Sequence, residues 1–258
     1  MLTLQRQEEI MNILRVKKSA TVAELSAALF ASGSTIRRDL SDLENAGLIR
    51  RSHGGAVLYE PSSDEASARI REQENRRQKK LIGTMAAGLL SDGSSLFLDS
   101  SSTAGAMIPS LSGYQDLTVI TNGLRNALSM AEYPELRIVL TGGTVRPSSG
   151  SLYGAETLNC LSRLHPGWCF FSCGGLSVSG ITESSFEQGA VKEQMIRGAE
   201  KKVLLCDSSK FGRGCLYRIG ALSDIDCLVT DQLPPEELAS ALASAGVRII
   251  TPSFENTD

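Results

Sequence analysis

The stretch Ser32-Gly33-Ser34-Thr35-Ile36-Arg37-Arg38-Asp39-Leu40 decides how this chain is read. From about Ser34 to Ala46 it predicts a helix that buries Ile36, Leu40 and Leu43, with Gly47 placed to end it as a left-handed residue. Just upstream, Thr21-Val22-Ala23-Glu24 is a capping-box pattern that opens a short helix with Val22, Leu25 and Leu29 on one face. The break between these helices, Ala31-Ser32-Gly33-Ser34, has the length and composition of the turn in a helix-turn-helix. Before them, Ile10, Ile13 and Leu14 repeat at helical spacing, which predicts an amphipathic helix over 3–17. After Gly47, Leu48-Ile49-Arg50-Arg51 and Ala56-Val57-Leu58 flank Ser52-His53-Gly54-Gly55 and predict a two-stranded wing with a basic edge.

In a helix-turn-helix the first turns of the second helix face base edges and phosphates. Ser34, Thr35, Arg37 and Arg38 stand there, and Arg50, Arg51 and His53 lie on the wing. A guanidinium can bridge guanine O6 and N7 or clamp a phosphate. The same arginines could instead be a solvated face paired with Asp39, Asp42 or Glu44, and Ser34 or Thr35 could serve only as the helix cap. Net charge is unevenly spread in the same sense. The chain carries −3, but residues 1–58 hold eight Lys/Arg against six Asp/Glu, and residues 59–258 hold 18 against 23.

Composition bounds the rest. With 258 residues, 41% apolar and 21% charged, the chain can bury a core without metal or disulfide staples. No apolar run approaches the roughly 18 residues of a membrane span, and the first residues lack a signal peptide's pattern, so a cytoplasmic protein is expected. Two histidines, His53 and His165, leave little material for a histidine relay or a histidine metal site. The six cysteines, with no C-x2-C pair, are expected to be reduced and mostly buried. No catalytic residue, metal ligand or cofactor is expected.

Residues 59–75 predict a linker, polar around Pro61-Ser62-Ser63-Asp64, and the charged stretch from Arg69 to Lys80 is read as a solvated helix face in preference to a second phosphate contact or the approach to an oligomer interface. Beyond it, strand-like runs at 96–98, 117–120, 136–140, 168–171, 203–205 and 227–229 alternate with helical segments at 76–90, 103–111, 123–131 and 186–199. The fold class is therefore α/β: a winged helix-turn-helix over 1–58, then a mostly parallel sheet with helices on both faces over 76–258. Ligands of such sheets bind beyond the carboxyl ends of the strands. Five of those ends are small and polar: Asp99-Ser100-Ser101-Ser102-Thr103, Thr121-Asn122-Gly123, Thr141-Gly142-Gly143-Thr144, Ser172-Cys173-Gly174-Gly175 and Asp207-Ser208-Ser209-Lys210. Hydroxyls at a helix N-terminus make a phosphate cradle, and glycines let the backbone approach a ligand. Together they predict a pocket for a small polyhydroxylated anion, although each loop alone is ordinary capping chemistry.

The run Ser32–Leu40, with Leu43-Glu44, Gly47 and His53-Gly54-Gly55-Ala56, and with Arg6, Ile10 and Leu14 upstream, resembles the winged helix of DeoR-family transcriptional regulators. Leu29 and Ala31 depart from that pattern, where an aromatic and a larger aliphatic residue are usual. The five loops, with Gly180, Thr182 and Lys192, resemble the family's sugar-phosphate sensor domain, a Rossmann-like fold similar to ribose-5-phosphate isomerase. The resemblance implies that Asp99, Ser101, Ser102, Thr103, Thr121 and Asn122 receive the phosphate. It further implies Gly142, Gly143, Gly174 and Gly175 along the pocket, and Glu187, Lys192, Asp207 and Lys210 toward the sugar. Ser101 stands where glycine is usual, and the acidic residue before Lys192 aligns with either Glu187 or Gln188. The implied function is a repressor of a carbohydrate-utilisation operon. Its partners would be double-stranded operator DNA and a sugar phosphate, with no membrane, and it would act as a homodimer or homotetramer. The alternative is an isomerase-like enzyme carrying a DNA reader, with Glu187 or Asp207 and Lys192 or Lys210 moving protons.

Overall fold

The structure is a computed structural model that describes residues 3–45, 49–52, 54–58, 71, 73–147 and 149–252. Gly47, His53 and most of the expected linker lie outside the described residues. The chain divides into two compact units, Met1–Gln73 and Glu74–Asp258.

The first unit runs α1 (Thr3–Lys17), β1 (Ser19–Thr21), α2 (Val22–Leu29), α3 (Gly33–Asn45), β2 (Ile49–Ser52) and β3 (Gly55–Leu58). The Thr21–Glu24 capping box is present: the Glu24 backbone N–H donates to Thr21 Oγ1 at 3.2 Å, and the Thr21 N–H donates to Glu24 Oε2 at 2.7 Å. Ile10, Leu14, Leu25, Ile36, Leu40 and Ile49 are fully buried in one core, so the 3.6-residue spacing read from each segment points inward as expected.

Three local features differ from expectation. The turn is shifted by one residue, because α2 ends at Leu29, with Phe30 as its cap, and α3 already begins at Gly33, one residue before the expected start. Phe30 ends α2 in the left-handed region, at φ 50°, with its ring 98% exposed. A third strand, β1, pairs with β3, so the sheet is ordered β1-β3-β2 and antiparallel throughout. Gly55 is required by that pairing, since a Cβ there would lie 2.3 Å from the Ala20 carbonyl oxygen.

The second unit is built on seven strands: β4 (Ser95–Leu98), β5 (Thr118–Thr121), β6 (Arg137–Leu140), β9 (Trp168–Phe171), β12 (Lys201–Leu205), β14 (Cys227–Val229) and β15 (Arg248–Ile250). Their order is β15-β14-β12-β9-β4-β5-β6, all parallel. Side chains alternate between two cores. Phe97 and Phe171 pack with Leu161, Val191, Met195 and Leu242, while Leu96, Leu98 and Phe170 pack with Ile82, Met107, Ile108 and Met130. One face is thus covered by α4 (Arg76–Ala87), α5 (Ser102–Gly105), α6 (Ile108–Leu111) and α7 (Leu124–Met130), and the other by α8 (Ala155–Leu161), α9 (Phe186–Gly198) and α10 (Glu236–Ser244). The segment expected as one helix over 103–111 is two single turns, the second carrying Pro109 near its start.

Not read from the sequence were the seventh strand β15, the helices α8 and α10, a hairpin of β7 (Thr144–Arg146) and β8 (Ser151–Tyr153), and an antiparallel sheet ordered β10 (Gly175–Ser177), β11 (Gly180–Glu183) and β13 (Tyr217–Gly220). Strand order runs outward in opposite directions from β4 and β9. Their carboxyl ends therefore form the topological switch point, the usual crevice for a ligand in an open α/β sheet.

Candidate functional site

In the first unit, the cap of α3 is Ser32: the Thr35 backbone N–H donates to Ser32 Oγ at 3.2 Å. Ser34 and Thr35 are therefore not the cap, although their hydroxyls share hydrogen bonds with Ser32 Oγ at 2.9 and 2.8 Å. Arg37 and Arg38 are exposed, and the carboxylates that could have neutralised them are engaged elsewhere. Asp39 is buried and accepts two bonds from Arg6, from Nε at 2.5 Å and from Nη2 at 3.1 Å. Asp42 accepts from Gln7 Nε2 at 3.4 Å, and Glu44 accepts the Arg51 backbone N–H at 3.0 Å. Among the described residues, no ion pair draws the α3 arginines back onto the protein. On the wing, Arg51 is exposed, and Arg50 pairs with Val57 in the β2–β3 backbone register.

In the second unit, the loops after β4, β9 and β12 bring three lysines and three carboxylates together. Asp99 accepts from Ser101 through its backbone N–H at 3.0 Å and its hydroxyl at 2.5 Å, and from the Ser172 N–H at 3.1 Å. Lys192 reaches Asp99 at 3.4 Å and bonds Glu183 directly. Burial works against the Lys192 ammonium, but Glu183 and Asp99 outweigh it and hold it charged well beyond the ordinary lysine range. Burial likewise opposes the Glu183 carboxylate, and Lys192 outweighs it, so the Glu183 pKa lies below its ordinary value.

Lys210 donates to Ser172 Oγ at 2.9 Å and sits 3.6 Å from Asp207. Asp207 also accepts from Asn75 Nδ2 at 2.9 Å and from the Ser209 hydroxyl. Its pKa is lowered although burial opposes this, because Lys210, Ser209 and Lys79 favour the charged form.

Several expectations need correction. The carboxylate partner of Lys192 is Glu183, which sequence reasoning missed, and neither Glu187 nor Gln188 fills that role. Glu187 is exposed and pairs with Arg146 Nη2 at 2.6 Å. Gln188 instead donates to Ser151 Oγ at 2.5 Å and accepts from Ser100 Oγ at 3.1 Å. Lys79, expected on a solvated face, is buried and donates to Ser102 Oγ at 3.1 Å. α5 is a single turn, so the Lys79 ammonium, rather than a long helix dipole, supplies the positive charge at the hydroxyl loop.

Thr103 and Thr121 are buried, Thr121 accepting the Gly123 N–H at 3.0 Å. Asn122 fastens its loop to β8 by donating to the Leu152 carbonyl at 3.0 Å. Gly143, Gly174 and Gly175 serve packing. A Cβ at Gly143 would meet Thr157 Oγ1 at 2.2 Å, one at Gly174 would meet Cys215 Sγ at 2.7 Å, and one at Gly175 would meet the Arg213 carbonyl oxygen at 2.4 Å. Gly142 keeps the glycine-favoured φ of 72° and hands its carbonyl to Thr157 Oγ1 at 2.7 Å. A hollow of 580 Å³, lined by Glu193, Arg197, Lys202, Arg218, Asp224 and Asp226 among others, lies toward the amino ends of β12 and β14 and contains none of these residues.

Residues 6–62 match the DeoR-like helix-turn-helix domain, and residues 74–232 match the DeoR C-terminal sensor domain. This chain belongs to the DeoR family. The HTH-type transcriptional regulator GolR of Listeria innocua is 34% identical over 250 residues, covering 96% of this chain and 98% of that protein. The HTH-type transcriptional repressor GlcR of Bacillus subtilis is 33% identical over 246 residues, covering 95% of each chain. The glycerol-3-phosphate regulon repressor of Escherichia coli K12 is 29% identical, covering 95% of this chain and 97% of that one.

Among solved structures, ribose 5-phosphate isomerase A of Methanocaldococcus jannaschii matches with a TM-score of 0.39 and 18% identity, covering 54% of this chain and 55% of that one. At that level the likeness carries no argument about activity. As a DeoR-family protein the chain is a DNA-binding transcriptional regulator rather than an isomerase. Among the described residues, no helix is long and apolar enough to cross a membrane.

Proposed function

We propose that this DeoR-family protein is a cytoplasmic repressor whose grip on double-stranded operator DNA is set by a sugar phosphate. A reader over residues 1–58 and an effector domain over 76–258 are joined by a linker over 59–75. The reader places the first turns of α3 in the major groove, with Ser34, Thr35, Arg37 and Arg38 at base edges and phosphates and with Arg50, Arg51 and His53 on the backbone beside it. With so few basic groups per reader, tight binding needs a homodimer or homotetramer on paired half-sites.

The effector reading rests on one observation: Lys79, Lys192 and Lys210 converge with Asp99, Glu183 and Asp207 at the switch point between β4 and β9. Buried ammonium groups among serine hydroxyls suit a phosphate, while carboxylates that accept hydrogen bonds suit sugar hydroxyls. Ser101, Ser102 and Lys79 take the phosphate end, and Asp207, Lys210 and Ser172 take the sugar end. Thr103, Thr121, Asn122 and the glycines shape the loops around them.

A thermal-shift screen of the full chain against sugar phosphates tests the reading, because a ligand at 100 times its Kd adds about 2.7 kcal/mol to the native state. The expected result is stabilisation by one phosphorylated sugar, loss of that effect with the dephosphorylated sugar, and a change in operator affinity at the same concentration. Stabilisation by none of the panel, with operator binding intact, overturns the effector half alone.

A further inference from the structure

Strands β9 and β12 pair with a constant offset, Phe170 opposite Val203 and Phe171 opposite Leu204. Continued past the strand ends, that offset sets Cys173 opposite Cys206, and their sulfurs lie 3.8 Å apart with both side chains buried. Neighbouring strands are about 4.8 Å apart, inside the Cα separation that a disulfide spans. We propose that Cys173 and Cys206 are a peroxide-reactive thiol pair that closes to a reversible disulfide between the loops that follow β9 and β12.

The two thiols are not equivalent. The contact with Cys206 draws the Cys173 pKa below its ordinary value against the effect of burial, and Lys210 and Lys192 act in the same direction. Cys206 is pushed up, first by that same contact and then by burial. Cys173 is thus the attacking sulfur and Cys206 the resolving one. Cys173 attacks a hydroperoxide, forming an S–O bond as the O–O bond breaks and releasing the alcohol, or water when the oxidant is hydrogen peroxide. Cys206 then attacks the sulfenic sulfur, forming the S–S bond as the S–O bond breaks, and its proton leaves in a water molecule.

The peroxide is reduced and the two thiols are oxidised. The same lysines disfavour a thiophilic cation between the sulfurs, which decides for oxidation over metal capture. Elsewhere burial first, and a nearby carboxylate after it, keep thiols protonated: together they drive the Cys169 pKa well up and push Cys227 to about 11. Cys173 follows Ser172, which accepts the Lys210 ammonium, and Cys206 precedes Asp207, so the new bond pulls together the two loops that carry those groups.

The inference stands on these two loops and does not require the effector reading to hold. The full chain is treated with hydrogen peroxide while folded, then unfolded, alkylated and mapped by mass spectrometry. The expected product is one Cys173–Cys206 peptide pair that has lost two hydrogens and is restored by dithiothreitol. With Cys206→Ser, Cys173 should instead be trapped by dimedone as the sulfenic acid. If Cys173 and Cys206 in the untouched wild-type chain both remain fully alkylatable while Cys215 is oxidised, the proposal is overturned. A bridge that maps to any other pair, or a Cys206→Ser chain that yields no dimedone adduct, overturns it as well.

Discussion

Arg6 and Asp39 are 33 positions apart in sequence, and two hydrogen bonds join them, fixing α1 against the middle of α3. Asp39 follows Arg37 and Arg38 directly, so this contact sets the roll of the helix that presents them. It is also the reason Asp39 cannot neutralise them.

Removing Arg6 strands a buried carboxylate, which is more damaging than deleting the pair as a unit. Arg6→Ala should lower the melting temperature of the first unit and leave the unit from Glu74 onward unchanged, giving two separated transitions in calorimetry. A single unshifted transition would show that the pair does not hold α1 to α3.

Arg37→Ala and Arg38→Ala should behave in the opposite way. Both side chains are exposed, so stability should change by no more than about 0.5 kcal/mol. Operator affinity should fall, and each lost phosphate contact should flatten the slope of log affinity against log salt by about 0.9. Fluorescence anisotropy over a salt series reads both effects.

Phe30 occupies a left-handed backbone position with its ring in solvent, a conformation that costs a non-glycine residue about 1 kcal/mol. Phe30→Gly should therefore stabilise the first unit by about that amount, measured as a shift in urea midpoint at unchanged m-value. An unchanged midpoint would mean that the strain is already relieved.

Lys79→Met retains the buried stem and removes the ammonium beside Ser102. The stabilisation by a sugar phosphate should weaken at least about tenfold in Kd, the equivalent of one charge-assisted hydrogen bond. Operator binding without effector should be unaffected. Thr103→Glu is a poorer probe, because Thr103 is buried and the larger side chain would disturb packing before it repelled a ligand.

Glu183 and Asp207 both have pKa values below their ordinary 4.5 and 3.8. A depressed carboxylate pKa contributes stability that is present above the ordinary value and is lost as pH falls through the lowered one. The second unit should therefore lose stability progressively below about pH 4.5, the ordinary glutamate value. Glu183→Gln should flatten that acid limb, and thermal melts from pH 6 to 3 would detect an unaltered limb as readily as a flattened one.

The residues that carry local rules were legible in the sequence. Thr21 and Glu24 formed their cap, the apolar spacing of α1 to α3 pointed inward, and the six anticipated strand runs entered one parallel sheet, because short-range spacing encodes all of these. Partners distant in sequence were not legible. Nothing near Lys192 marks Glu183 as its counter-ion rather than Glu187, since the two glutamates are separated by the turn that opens α9 and only the fold decides which one faces inward. Lys79 sits in a run of charges that looks like a solvated face, and only its packing against Ser102 distinguishes it from Lys80. The glycine pairs suggested room for a ligand, but at Gly143, Gly174 and Gly175 a Cβ is excluded by Thr157, Cys215 and Arg213, which no local pattern announces.

Asn75 begins α4 at φ 53°, and its amide is fastened to Asp207 and Ser209. Asp207 Oδ1 already receives both that amide and the Ser209 hydroxyl, which occupies its two lone pairs. A guest hydroxyl either takes Asp207 Oδ2, which lies 3.6 Å from Lys210 and accepts no hydrogen bond among the described residues, or evicts one of the two donors from Oδ1. If Asn75 is the one displaced, the mooring of the chain where it enters the second unit is cast off, and news of the guest travels back along the polypeptide itself.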